Sequence, residues 1–171
     1  MIDEPARAAL LEHRARLAAQ GRLLAEAPLP EATAHGCFVA PALLALERID
    51  ELTGEVFGPF VHLVRYRAAA LDELVDQINA TGYGLTLGVH SRIDARAERI
   101  RARARVGNVY VNRNLIGAVV GCQPFGGVGL SGTGPKAGGP HYLPRFTWEQ
   151  TLSVDTTAAG GNASLFAQGA D

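Results

Sequence analysis

Apolar residues at helical spacing open the chain. In residues 3–20, Leu10, Leu11, His13, Leu17 and Ala18 share a partly apolar face, which predicts a helix. Asp3 can cap it, Pro5 suits its first turn, and Gly21 stops it. Residues 22–36 hold Pro28, Pro30 and Gly36 and read as irregular chain with a short strand at Arg22–Leu24. Cys37–Val39 is an apolar run of strand type. Pro41 interrupts it, and Ala42–Leu46 resumes as an edge or irregular strand.

The pattern sharpens after a turn at 53–59, TGEVFGP. Phe60–Tyr66 alternates as a strand, with Val61, Leu63 and Arg65 on one face. In 71–80, Leu71, Leu74, Val75 and Ile78 fall at helical spacing opposite Asp72, Glu73 and Asp76, and Gly82 ends that helix. Leu85–His90 reads as a buried strand. Asp94 is the expected cap of a helix over 95–105, with Ala97, Ile100 and Ala104 inward and Gly107 closing it. Asn108–Asn112, NVYVN, is a strand. Strand 85–90, helix and strand 108–112 form a βαβ unit, and strand 60–66 with helix 71–80 suggests a second. The fold class is therefore α/β with a parallel sheet.

Periodicity then stops. The stretch Asn112–Pro140 has nine glycines and three prolines in 29 residues. A loop this long in a compact domain is functional or disordered. Leu115, Ile116, Val119, Val120, Phe125 and Leu130 make it too apolar for a solvated linker. It is read as ordered, with glycines bringing backbone close to a ligand or a neighbouring element. It leaves the carboxyl end of a parallel strand, where open sheets bind ligands. Beyond it, Phe146–Val154 has strand-like content and suits an edge strand or an arm pairing with another chain. Residues 156–171 read as a frayed tail.

Composition narrows the function classes. The formal net charge is -1, and acids interrupt the arginines of 95–105, so no basic surface argues for nucleic acid or an anionic membrane. No apolar run is long enough to cross a bilayer, and the acidic amino terminus is not a secretory signal. Cys37 and Cys122 share no metal spacing and read as reduced cytoplasmic thiols. Cys37 is a small buried hydrophobe, and Cys122 an incidental loop thiol.

Two motifs are ambiguous alone. Gly127-Val128-Gly129-Leu130-Ser131-Gly132 matches a dinucleotide fingerprint, but no apolar strand precedes it and Gly134-Pro135 follows in place of a helix, so it is set aside. In Glu55-Val56-Phe57-Gly58, a turn carboxylate can accept both hydroxyls of a ribose while an aromatic packs on a flat ring. An exposed turn Glu beside a core Phe is the commoner case.

Taken together, the motifs resemble one family. Glu55-Val56-Phe57-Gly58-Pro59, Asn79 with Tyr83-Gly84-Leu85, Gly107–Asn112, and Pro124-Phe125-Gly126-Gly127 with Gly129 and Ser131-Gly132 look like the NAD(P)-dependent aldehyde dehydrogenases. The run GAVVGCQPFGGVGLSGTGPKAGGPHYLPRF and the tail TTAAGGNASL resemble the L-glutamate γ-semialdehyde (pyrroline-5-carboxylate) dehydrogenases, above all the module in bifunctional proline utilization A flavoproteins. The resemblance implies oxidation of the semialdehyde to L-glutamate with NAD, the second step of proline catabolism. It implies that Glu55 binds the nicotinamide ribose and Phe57 packs near the nicotinamide. Gly117 and Ala118 would offer backbone N–H groups to the substrate carboxylate, and Phe125 would cover the aliphatic part of the substrate.

The resemblance covers only the carboxy-terminal part of such an enzyme. It divides the chain into 1–146 from the catalytic domain, an oligomerisation arm at 147–155 and a flexible tail at 156–171. The nucleophilic Cys, the oxyanion-hole Asn and the amino-terminal dinucleotide-binding domain would precede Met1, so no catalytic residue is expected in the chain. The expectation is an inactive fragment of an enzyme that is homo-oligomeric when whole. The alternative is a noncatalytic or complementing protein that pairs with another aldehyde dehydrogenase chain, including an amino-terminal partner. A sheet cut from its neighbours should expose apolar surface around 60–66 and 85–90.

Overall fold

The computed structural model describes residues 1–116, 118–119 and 121–155. The tail at 156–171 and Gly117 therefore lie outside the described residues. Helix α1 spans Glu4–Ala19, with the Asp3 carboxylate accepting from the Ala6 N–H at 2.8 Å and Pro5 in the first turn. It ends into Gly21, whose φ of +70° is open to glycine at little cost. Its buried residues are Leu10 and Leu17.

Strands β1 (Leu23–Glu26), β2 (Ala42–Leu46) and β3 (Phe60–Val64) form one sheet in that order. β1 runs antiparallel to β2, and β2 parallel to β3. Ala42, Leu44 and Leu46 point inward and are buried. Leu17, Leu44 and Leu46 make a core with Leu23, Leu52, Phe60 and Val64 packed on it. β2 is thus the central strand, not the edge expected from its flanking Pro41. The strand's own residues do not encode how many neighbours it has.

Cys37–Val39 is not a strand. Its backbone serves α1 instead: the Cys37 carbonyl accepts from the amino terminus, and the Phe38 carbonyl from Arg7 Nε at 3.0 Å.

Helix α2 occupies Leu71–Ala80, as the periodicity requires, and buries Leu71 and Val75. Short β4 (Tyr83–Gly84) follows, then β5 (Thr86–Val89), helix α3 (Asp94–Arg103) and β6 (Asn108–Val111). β5 and β6 pair in parallel, so the expected βαβ unit is present. Asp94 is the first helical residue and not the cap. The Ser91 hydroxyl meets the Ile93 N–H at 3.0 Å just before the helix.

Arg99 and Arg103 of α3 chelate Asp72 and Asp76 of α2, with Nε–O distances of 2.7 Å in each pair. Arg101 pairs with Glu98. This accounts for the arginine-rich face. The Asn79 side chain bonds the Arg103 carbonyl at 3.0 Å and the Arg105 N–H at 2.7 Å, closing the carboxyl end of α3.

The second βαβ unit forms differently from expectation. β3 pairs with β2 and not with β5, so the two parallel pairs belong to separate sheets. At the carboxy-terminal end, Leu143–Phe146 is a 3-10 turn and Thr147 is extended. Residues 147–155 are exposed, with no strand partner among the described residues.

Candidate functional site

The loop after β6 is held at its root by side chains. Asn112, at φ +53°, brackets Ser91: its Oδ1 accepts from the Ser91 N–H and its Nδ2 donates to the Ser91 carbonyl, both at 2.9 Å. Arg113 lies over the Tyr110 ring, 4.4 Å from its centroid, and donates to Gln123 Oε1 at 3.1 Å. The same oxygen accepts from the Val119 N–H at 3.2 Å. The Val119 carbonyl receives the N–H groups of Cys122 and Gln123 at 3.1 and 2.8 Å. Arg113, Val119, Cys122 and Gln123 are thereby tied together beside the carboxyl end of β6. Ala118 sits there half-buried, in neither helix nor strand, and its N–H meets no partner among the described residues. Gly117 lies outside the described residues.

The following segment is fastened to the other end of β6. Asn108 is buried, at 8% exposure, and its Nδ2 donates to the Pro124 carbonyl at 3.1 Å while its Oδ1 accepts from the Gly126 N–H at 3.4 Å. Lys136 donates to the Gly107 carbonyl. Phe125, half-buried, exchanges two backbone bonds with Ala137 at 3.1 and 2.9 Å. Gly107 must be glycine, because a Cβ there would overlap the Gly126 carbonyl. The glycines thus serve close approach between backbone segments.

The glycine fingerprint is closed. β7 (Val128–Gly129) pairs antiparallel with β4. The N–H groups of Leu130, Ser131 and Gly132 bond Gly82, Val128 and Gly129 at 2.9, 3.1 and 3.4 Å. No helix follows, and amides so engaged cannot cradle a pyrophosphate.

The 53–59 turn presents a different surface. Glu55 is exposed, forms no ion pair among the described residues, and stands with His62, Thr86 and Ser131 on a cavity of about 470 Å³. Phe57 is 80% exposed. A Cβ at Gly58 would meet the tip of the Leu10 side chain of α1, so the turn packs closely against α1. Neither Ala118 nor Phe125 lines the Glu55 cavity. Of the residues expected at the ribose, the nicotinamide and the substrate, only Glu55 lines this cavity; Phe57, Ala118 and Phe125 do not.

A larger hollow of about 560 Å³, edged by Arg48, Asp50, Glu73 and Asp76, touches none of these residues. Its carboxylates Asp50 and Asp76 already pair with Arg48 and Arg103.

Sequence reading missed one contact entirely. His13 Nε2 of α1 lies 2.9 Å from His62 Nε2 of β3, and Arg16 lies 3.1 Å from His13 Nδ1. Burial pushes both imidazoles below their ordinary value, Arg16 adding to the effect on His13 and His13 to that on His62. The only signal was His13 on an apolar helix face.

Cys37 donates its thiol to the Asp3 carbonyl at 2.9 Å. Desolvation, then the Glu4 carboxylate, raises its pKa, which suits an inert thiol. Cys122 is free and exposed. Among the described residues no three His, Cys, Asp or Glu side chains gather as a metal site, and no helix is long and apolar enough to cross a membrane.

The model of the aldehyde dehydrogenase family matches residues 1–152. The chain belongs to the aldehyde dehydrogenase family. Among curated relatives it is 54% identical to the bifunctional protein PutA of Klebsiella aerogenes over 150 residues, which is 85% of this chain and 11% of that protein. It is 38% identical to the 1-pyrroline-5-carboxylate dehydrogenase of Geobacillus kaustophilus over 157 residues, 90% of this chain and 29% of that protein. A point mutant of Bradyrhizobium japonicum proline utilization A superposes with a TM-score of 0.83 at 57% identity, covering 92% of this chain and 16% of that one. A Thermus 1-pyrroline-5-carboxylate dehydrogenase crystallised with bound NAD gives 0.73 at 34% identity, covering 85% and 28%.

The chain is thus a partial aldehyde dehydrogenase domain, and it spans 11% to 29% of the length of these curated relatives. Within that domain the described geometry supplies a braced turn, a loop at the exit of β6, and two parallel strand pairs.

Proposed function

We propose that these residues form the carboxy-terminal part of the catalytic domain of an NAD-dependent L-glutamate γ-semialdehyde dehydrogenase. The observation that carries this reading is the short loop rooted at the exit of β6 by Asn112, Arg113 and Gln123, in a chain whose relatives are PutA and 1-pyrroline-5-carboxylate dehydrogenases. Gly117 and Ala118 donate backbone N–H groups to the substrate carboxylate. Consecutive amides make an anion-binding concavity, and small residues let the carboxylate approach. Phe125 shields the aliphatic chain and excludes water from it.

Glu55 and Phe57 fit one end of NAD. An unpaired carboxylate at a cavity rim can accept a ribose diol, and an exposed aromatic beside it has a face free for a ring. NAD, when bound, accepts hydride from the substrate carbon. The nucleophilic sulfur comes from polypeptide outside these residues: Cys37 is held as a thiol beside Glu4, and Cys122 is exposed with no hydrogen-bonded base among the described residues. Residues 147–155 are the arm through which subunits pair.

The test is a chimera in which this chain replaces the matching segment of Bradyrhizobium japonicum PutA. It is expected to form NADH from γ-semialdehyde, while the 171-residue chain alone forms none. A folded chimera without turnover, or NADH from the chain alone, would overturn the reading.

A further inference from the structure

We propose that Gln123, oriented by Arg113, is a positioning residue for the anchor loop and sets how strongly an aldehyde bearing a carboxylate is preferred over one without. This deepens the substrate reading above and rests on it.

Gln123 grips Val119 twice. Its side-chain Oε1 accepts from the Val119 N–H at 3.2 Å, and its own backbone N–H donates to the Val119 carbonyl at 2.8 Å. Cys122 adds a second donor to that carbonyl at 3.1 Å. The chain reverses between them at Gly121, whose φ of +82° suits glycine. The peptide groups on both sides of the Val119 α-carbon are thereby fixed. The first of them carries the Ala118 carbonyl, and a peptide unit is planar. Only the torsions of Ala118 itself remain to aim its own N–H, which meets no partner among the described residues.

The grip leads back to the sheet through Arg113. Arg113 Nη1 donates to the same Gln123 Oε1 at 3.1 Å, and Arg113 Nε donates to the Asn114 carbonyl at 3.2 Å. The guanidinium lies 4.4 Å from the centroid of the Tyr110 ring, and Tyr110 is a buried residue of β6. A planar guanidinium held on one face by a ring and at one edge by a carbonyl has few orientations left. Two donors converge on one amide oxygen of Gln123. A flipped amide would turn its NH2 toward both of them, so the side chain has one orientation here.

Among the described residues, little else fixes this part of the loop. The Ile116 N–H donates to Asn114 Oδ1 at 3.2 Å, a local bond. Leu115 packs over Gly88 of β5, which fixes the start of the loop and not its far side. Val119 is 56% exposed, so packing does not hold it. The direction of the Ala118 amide is thus set by hydrogen bonds, and a misplacement of about 1 Å at a binding group can cost as much as about 100-fold. Arg113 forms no ion pair among the described residues, so a direct pull of its charge on the substrate carboxylate is the competing account.

The test uses the chimera described above, with steady-state kinetics on γ-semialdehyde and on butanal. Gln123→Met keeps the length and bulk of the side chain and removes the acceptor. KM for γ-semialdehyde is expected to rise about tenfold with kcat nearly unchanged, the pattern of lost binding. Butanal kinetics and the thermal unfolding temperature are expected to stay close to those of the parent chimera. Arg113→Met is expected to raise the same KM about three- to tenfold alone, and to add less than about twofold in the Gln123→Met background, because it acts through that residue. If Gln123→Met leaves the preference between the two aldehydes unchanged, by weakening both or neither, the role is overturned. A full further loss from Arg113→Met in the double variant also overturns it and gives the effect to the Arg113 charge. A parent chimera with no preference for γ-semialdehyde over butanal removes the carboxylate reading, and this role with it. A parent that has the preference confines any failure to Gln123.

Discussion

Gly107 and Gly58 are glycines for different reasons. At Gly107 the obstacle to a Cβ is backbone, the Gly126 carbonyl, and at Gly58 it is the tip of the Leu10 side chain. A side chain can rotate away, whereas a carbonyl in backbone tied by Asn108 at Pro124 and at the Gly126 N–H, and by the Phe125–Ala137 pair, cannot. Gly58→Ala is expected to cost about 1 kcal/mol, at the low end of overpacking, and Gly107→Ala roughly 3 kcal/mol or more. Thermal unfolding of the two variants in the chimera checks this, and equal losses would remove the distinction. The sequence marked 112–140, where Gly126 lies, as a place of close approach, but Gly107 read only as a helix stop. Glycine density records that space is scarce, and the neighbour comes from a segment far along the chain.

Legibility at the scale of elements follows how local the signal is. α2 has the bounds its apolar spacing requires, because Leu71, Leu74, Val75 and Ile78 repeat within one helix. The central place of β2, the unpaired β3 edge and the His13–His62 contact depend on segments brought together by folding. No local pattern carries them.

That contact ties α1 to β3 with a sign that can be worked out. Both imidazoles have folded pKa values below the unfolded one, which is about 6.5. Protons therefore favour the unfolded chain. The contribution is fully present above about pH 6.5 and is lost as pH falls from there through the folded values. Protection factors of the α1 amides, taken relative to the slower intrinsic exchange at lower pH, should fall in that window, and the fall should shrink in His62→Phe, where one titrating partner is gone. Unchanged acid sensitivity in that variant would assign the effect elsewhere.

For the whole molecule, the core around Leu17 and Leu44 covers one face of the β1–β2–β3 sheet. Val61, Leu63, Leu85 and Leu130 remain on the surface with Phe57 and Trp148. So much exposed apolar area marks a surface meant to be covered. The chain alone should bind a hydrophobic dye and associate with rising concentration. Sedimentation as a monomer with no dye binding would contradict this. The bare strands were foreseeable because the resemblance covers only part of a parallel sheet whose faces are normally both covered. The sequence could not foresee that Glu55 would line a cavity that neither Ala118 nor Phe125 reaches, since that depends on how two half-sheets are set.

The loop at the exit of β6 is proposed to hold a carboxylate through main-chain amides. Ala118→Asp in the chimera places a like charge there. Steady-state kinetics with γ-semialdehyde and with a simple aliphatic aldehyde lacking a carboxylate measures the consequence directly. The expected result is a fall in kcat/KM for γ-semialdehyde of about 100-fold or more, in line with a desolvated like-charge contact of a few kcal/mol, with the aliphatic aldehyde nearly unaffected. Equal loss for both aldehydes, or none for either, would contradict it.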